Sequence, residues 1–283
     1  MINVKNLSFQ YRGSKINAIE NINFEIEKGE IFGFLGPSGA GKTTTQKLLI
    51  GLLRNYNGQI NILGRERKEW KNDFFEKIGV AFEFPNMYLK LTAKENLSLI
   101  QSYYQKNDGD IKMLLEKVGL LKDQNRKVSD FSKGMKMRLN FIRAILHSPD
   151  LLFLDEPTSG LDPVNAKIVK DMIVDLKNKN KTIFLTTHDM NVAQQLCDRI
   201  ALIDNGQIIV IDTPKNLMIT HGQPQVKVEY LKNNALKCET FSLKALGNNN
   251  KFLDIVNAYE VKTMHSEEAT LEDVFIKLTG RNL

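Results

Sequence analysis

With 283 residues, 42% of them hydrophobic and 25% charged, the chain has an ordinary globular composition, enough for one large domain plus a small one. No apolar run approaches the ~20 residues that span a bilayer, and the first residues lack the basic-then-apolar order of a secretion signal. The two cysteines, Cys197 and Cys238, offer neither metal-ligand spacing nor a disulfide framework, which suits a reducing cytoplasm, and the net charge of +6 is scattered among acidic residues, which argues against a nucleic-acid partner.

In chain order, Val4, Leu7, Phe9 and Tyr11 alternate roughly, and Ile22, Phe24 and Ile26 strictly, predicting strands at the start of the chain. Glu27–Glu30 turns into an apolar strand, Ile31–Leu35, which meets Gly36-Pro37-Ser38-Gly39-Ala40-Gly41-Lys42-Thr43-Thr44. That run fits G-x-x-x-x-G-K-[ST], and Leu48, Leu49, Leu52 and Leu53 mark a helix after it. Strand, glycine-rich loop and helix together cradle phosphates on backbone N–H groups at the positive end of a helix. Lys42 would sit beside the β- and γ-phosphates, and Thr43 would offer its hydroxyl to Mg²⁺.

After a short strand at Gln59–Leu63, helical periodicity runs from about Asn86 to His147. Leu151–Leu154 is an apolar strand ending in Asp155 and Glu156, placed to give one carboxylate to the metal and the other to a water beside the γ-phosphate, as general base. Asp162 and Pro163 open a helix, Thr182–Thr186 is a strand, Asn191–Cys197 a helix, and Ile200–Ile203 with Gln207–Ile211 a hairpin across Asn205-Gly206. This alternation predicts a mainly parallel sheet wrapped by helices, with a helical insertion at about 86–147. A boundary near Thr220–Pro224 divides a domain of residues 1–220 from a small accessory domain of residues 221–283. There Val226, Val228 and Tyr230 alternate, Asn233-Asn234 turns the chain toward Leu236–Phe241, and Asn248–Asn250 reads as a loop. Thr270 to Asp273 starts a last helix that Gly280 stops.

Together these motifs resemble the ATP-binding subunits of ABC transporters. Two further segments stand in family order: Phe131-Ser132-Lys133-Gly134-Met135-Lys136 at the signature position, and Pro157 to Asp162 after the second carboxylate motif. His188 follows a strand, where the family places its switch histidine. The resemblance implies an α/β fold: a P-loop NTPase core with a mainly parallel sheet, an N-terminal antiparallel β subdomain and a helical insertion, plus a small C-terminal α+β segment. It implies ATP and Mg²⁺ as cofactors and ATP hydrolysis as the activity. Ser132 and the Gly134 N–H would bind the γ-phosphate of ATP held by an opposite subunit, so that ATP joins two copies head to tail. His188 would hydrogen-bond the γ-phosphate with Glu156 holding the attacking water, and Tyr11 would stack on adenine.

Two positions depart from the family pattern. Glu83 stands where most members carry glutamine, which still leaves a ligand for Mg²⁺ but adds negative charge, and Lys133 and Met135 replace the commoner Gly and Gln. Phe84–Leu89 and Leu91–Asn96 suit the docking of a short helix of an integral-membrane permease, and equally the insertion's own core. The tail from Ala269 to Gly280 resembles drug and antibiotic exporter ATPases. The resemblance thus implies a peripheral subunit on the cytoplasmic face of the cell membrane, a permease as partner, and a second ATP-binding subunit, more readily an identical chain than a related one. The alternative is a non-transport ABC ATPase switching a membrane protein, a ribosome or DNA.

Overall fold

The computed structural model describes residues 1–105, 109–222, 224–267 and 269–280; Gln223, inside the expected boundary, and residues 106–108, inside the expected helical insertion, lie outside it. The chain divides into two compact units, Met1–Ile211 and Asp212–Leu283.

The first unit holds two sheets. Strands β1 (Ile2–Phe9), β2 (Ile19–Ile26), β4 (Asn57–Ile62) and β5 (Arg65–Glu66) make an antiparallel sheet in the order β2-β1-β4-β5. Strands β3 (Ile31–Leu35), β6 (Ile78–Ala81), β7 (Leu151–Asp155), β8 (Thr182–Thr187), β9 (Arg199–Asp204) and β10 (Gln207–Asp212) make the second, ordered β10-β9-β3-β8-β7-β6. From β9 through β6 its pairs are parallel. Every residue of β3, β7 and β8 is buried, as befits central parallel strands covered on both faces. Phe24 of the antiparallel sheet packs on Phe32, Phe34 and Phe184 of the parallel one, at ring-centroid distances of 5.6–6.3 Å, and so joins the two into one core.

Helix α1 (Lys42–Ile50) follows β3, and the helical insertion supplies α2 (Ala93–Gln101), α3 (Ile111–Lys117) and α4 (Lys133–Ile145). Helix α5 (Pro163–Asn178) begins as its sequence predicts: Asp162 accepts from the N–H groups of Val164 and Asn165, with proline in the first turn. Helix α6 (Met190–Leu196) precedes β9. Because β3, β6, β7 and β8 run parallel, their C-terminal ends lie on one edge, where an α/β sheet offers a crevice for ligands.

The second unit contains α7 (Pro214–His221), β11 (Gln225–Lys232), β12 (Ala235–Ser242), α8 (Asn250–Ala258), β13 (Glu260–Glu267) and α9 (Leu271–Thr279). Its sheet is ordered β12-β11-β13, with Val226, Val228, Tyr230, Phe241 and Ile255 at its core. Helix α7 packs on α9, so this unit starts before the Thr220–Pro224 stretch. Asn233 and Asn234, at φ 54° and 60°, form the expected tight turn, and Gly280, at φ 68°, closes α9. Two elements correct the sequence reading. Asn248–Asn250 is not a plain loop, because the Asn249 side chain accepts from the Phe252 N–H and caps α8. Strand β13 was not anticipated; its residues are mostly polar and exposed, which leaves no apolar alternation to find.

Candidate active site

The loop between β3 and α1 is shaped by glycines at two demanding positions. A Cβ on Gly36 would lie 2.1 Å from the Ile203 carbonyl oxygen, and Gly41, the residue before α1, has φ 112°, which disfavours any side chain. The loop thereby turns tightly and brings the N-terminus of α1 to the sheet edge. Beside it lies a cavity of about 300 Å³ lined by Ser38, Gly39, Gly41, Lys42, Thr43, Thr44, Glu83, Asp155, Glu156 and His188. Residues from four separate stretches of the chain, each predicted from sequence, thus meet around one space.

Lys42 is nearly buried, and its ammonium donates to the carbonyls of Gly36 (2.6 Å) and Pro37 (3.0 Å). Burial lowers its pKa, and the charges of Glu156, Asp155 and Glu83 oppose that shift. Asp155 accepts from the hydroxyls of Thr186 and Thr43, the latter at 3.3 Å. Burial raises its pKa; the Thr186 hydrogen bond counters this, while the neighbouring Glu156 charge adds to it.

Glu156 sits just past the end of β7 at φ 49°, in the left-handed region that a non-glycine residue seldom occupies. One carboxylate oxygen accepts from the Thr187 hydroxyl (2.9 Å). The other accepts from the His188 N–H (2.8 Å) and lies 2.7 Å from the His188 ring Nδ1. The His188 side chain itself is 62% exposed and already lines the cavity.

Tyr11 hydrogen-bonds the Thr44 hydroxyl at 3.1 Å and packs edge-on against Phe9, remaining 40% exposed beside the loop. Gly36, Pro37 and Ala40 support the loop from behind the cavity: the first two hold Lys42, and Ala40 donates its N–H to Pro37 at 3.2 Å. Ser132 and Gly134 are elsewhere. Ser132 caps α4, accepting from the Met135 N–H, and neither residue lines the cavity.

Sequence reasoning missed the side chains that fix the segment after β6. Asn140 and Arg143 of α4 donate to the carbonyls of Phe82 (2.8 Å) and Asn86 (2.7 Å), while Asn96 of α2 bonds both the N–H and the carbonyl of Tyr88. Buried asparagines on apolar helix faces were the available signal. Held this way, Phe84 (70% exposed), Tyr88 and Leu89 face outward and are not core of the insertion.

For a metal, Thr43, Asp155 and Glu83 present only oxygen donors, which fits a hard cation. Among the described residues no group of three or more His, Cys, Asp or Glu side chains is arranged to cage an ion. An all-oxygen set of this size fits Mg²⁺, which takes few protein ligands and completes its shell with phosphates and water.

A family profile described as ABC transporter matches residues 19–159, and one described as the fluoroquinolone efflux ABC transporter C-terminal domain matches residues 224–268. The whole chain is 49% identical to a fluoroquinolones export ATP-binding protein of Mycobacterium tuberculosis, over 94% of that protein. The chain belongs to the ATP-binding proteins of ABC transporters. A bacitracin transport ATP-binding protein of Bacillus licheniformis is 34% identical, with 99% of this chain and 97% of that one covered. Among solved structures, an ATP-binding subunit of an ABC transporter superposes with a TM-score of 0.71 at 29% identity, over 78% of this chain and 93% of that one. A dimeric ATP-binding cassette in a post-hydrolysis state, bound to ADP and Pi, gives a TM-score of 0.70 at 26% identity, over 75% of this chain and 98% of that one. This ABC protein therefore binds ATP and hydrolyses it, on a cassette fold that the sequence motifs had implied.

Proposed function

We propose that this ABC ATPase drives export through a separate integral-membrane permease, working as a head-to-tail pair of identical chains with ATP in their interface. One observation carries the pairing: the cavity at the Gly36–Thr44 loop is walled by one side of a site, while Ser132 and Gly134 stand at a helix N-terminus outside it. Such a terminus is an anion site in waiting, and a second copy supplies the phosphate. A full set of motifs in one chain favours a homodimer. Full-length likeness to an export protein for fluoroquinolones supports outward transport of a small organic antibiotic. The outward-facing Phe84, Tyr88 and Leu89 offer an apolar surface that supports permease docking, and with it a place at the cytoplasmic face of the membrane.

Within each site, Lys42 leaves the Gly36 and Pro37 carbonyls for the β- and γ-phosphates, the loop N–H groups hold the phosphate chain, and Tyr11 stacks on the adenine. Thr43, Asp155 and Glu83 would hold Mg²⁺, which would supply positive charge to offset that of the phosphates. Glu156 takes the proton of the attacking water. Both of its oxygens are engaged in the structure, one of them by His188. If the His188 Nδ1–H stays on Glu156, the other ring nitrogen can donate to a phosphate only when the imidazole is protonated. A neutral His188 must instead swing to the γ-phosphate, and that movement removes the ring contact from the Glu156 oxygen and leaves the backbone N–H bond to it, so that water can take the ring's place.

The test is complementation between two inactive variants. Lys42→Ala and Ser132→Arg chains each lose activity alone, but a mixed dimer keeps one site with an intact loop and an intact signature. ATPase activity should return on mixing. It should not return when the double variant Lys42→Ala/Ser132→Arg is mixed with the unaltered chain and the mixed dimer is isolated. Failure of the first pair to recover overturns the head-to-tail site.

Glu83→Gln removes one of the carboxylates facing Lys42 and weakens one ligand to the metal. ATP affinity in EDTA should rise about five- to tenfold, and the Mg²⁺ concentration for half-maximal ATPase should rise with it. Titrations that leave both values unchanged would remove Glu83 from the metal site.

A further inference from the structure

The second unit leaves both outer strands of its sheet unpaired among the described residues, and only one of them is disrupted. On β13 the register moves from Glu229↔Thr263 to Tyr230↔Val261, so Lys262 is an extra residue that breaks the edge. A bulge of this kind protects an edge against pairing with another chain. Strand β12 has no such device. It pairs with β11 without a slip over all eight positions, from Gln225↔Ser242 to Lys232↔Ala235, and contains no proline. Its residues are almost all exposed, Leu236 at 60%, and Cys238 is an exposed free thiol.

The hairpin fixes which backbone groups face outward. A two-residue turn closes on a hydrogen-bonded pair, here Lys232 and Ala235, and strict alternation then aims the N–H and C=O of Leu236, Cys238 and Thr240 away from β11. An antiparallel partner strand must bond at those three residues.

We propose that this edge pairs with β12 of a second copy of the chain, antiparallel, about a two-fold axis through Cys238. In that register Cys238 faces its counterpart, Leu236 faces Thr240, and Lys237 faces Glu239 twice over. Glu239 is already oriented by the Tyr230 hydroxyl (3.0 Å) and Lys251, on the sheet face that Lys237 shares. The neighbouring registers that keep side chains on matching faces set Lys237 against Lys237 or Glu239 against Glu239. Like charges directly opposite destabilise a ladder, so the charge pattern selects the Cys238-centred register and rejects its neighbours. The contact is isologous and closes on itself, giving a dimer and not a fibre. It requires no nucleotide and stands whether or not the ATP-bound pair proposed above is correct.

The experiment uses the nucleotide-free full-length chain and mild oxidation with copper–phenanthroline. Opposed hydrogen-bonded residues lie about 5.5 Å apart at Cα, within disulfide range. The unaltered chain should form a dimer linked through Cys238, absent in Cys238→Ser. Lys237→Glu should slow linkage by about fivefold or more, since it sets two carboxylates opposite each other. In a Cys238→Ser background, Leu236→Cys chains should link to Thr240→Cys chains but not to themselves. Absence of the Cys238-linked dimer overturns the pairing. Linkage of Leu236→Cys to itself as readily as to Thr240→Cys, or an unchanged rate in Lys237→Glu, overturns the register.

Discussion

Glu156→Gln is expected to slow ATP hydrolysis by about 10²–10⁴-fold while leaving ATP bound. The substitution keeps the shape of a nearly buried side chain at a demanding backbone position, φ 49°, and its amide oxygen can still accept from Thr187 or the His188 N–H. What it removes is the basic oxygen that, in the proposed mechanism, takes the proton from water. Because a negative charge next to the phosphates also disappears, ATP should be held at least as tightly as before. The variant should accumulate as an ATP-bound dimer, seen by size-exclusion chromatography with ATP and Mg²⁺ and by single-turnover phosphate release. Turnover at the parental rate would take the general-base role away from Glu156.

Lys42→Ala should weaken ATP binding by about 10²–10⁴-fold, the loss expected for two charge-assisted hydrogen bonds of roughly 1.5–3 kcal/mol each. The ammonium is held at the cavity by the Gly36 and Pro37 carbonyls, and Lys42 is the one lysine or arginine among the residues lining that space. Its removal also strips the Gly36 and Pro37 carbonyls of their donor, and the loop will be less firmly set. Thermal unfolding therefore belongs beside the binding titration: a retained transition with lost affinity assigns the effect to the phosphate contact. Unchanged affinity would remove Lys42 from the site.

The site was legible because its chemistry is concentrated in short runs. The loop glycines, Lys42 and Thr43 are contiguous, and Asp155 and Glu156 end a wholly apolar strand. Four parallel strands then do by topology what a motif cannot, bringing Glu83 and His188 to the same edge. The polar clamps were less visible. Asn140 and Asn96 look like defects in apolar helix faces until their backbone partners are known, and those partners lie 58 and 8 residues away in sequence. The second unit was read least well. Its β13 is mostly polar, and Asn249 is a cap because its side chain accepts from the backbone N–H three residues on, in a stretch that otherwise reads as a loop.

The grip of α4 on the segment after β6 has a mechanical consequence. Ser132 forms one end of this helix; Asn140 and Arg143, two to three turns further along, hold the backbone of Phe82 and Asn86. An α-helix transmits displacement along its axis with little loss, so the strip that carries Phe84 and the serine that caps the helix form two ends of one rod about 12–16 Å long. A displacement of that strip would shift the serine relative to whatever it faces. In the proposed assembly, the permease contact at the strip and the ATP contact at the serine would be coupled through this one helix.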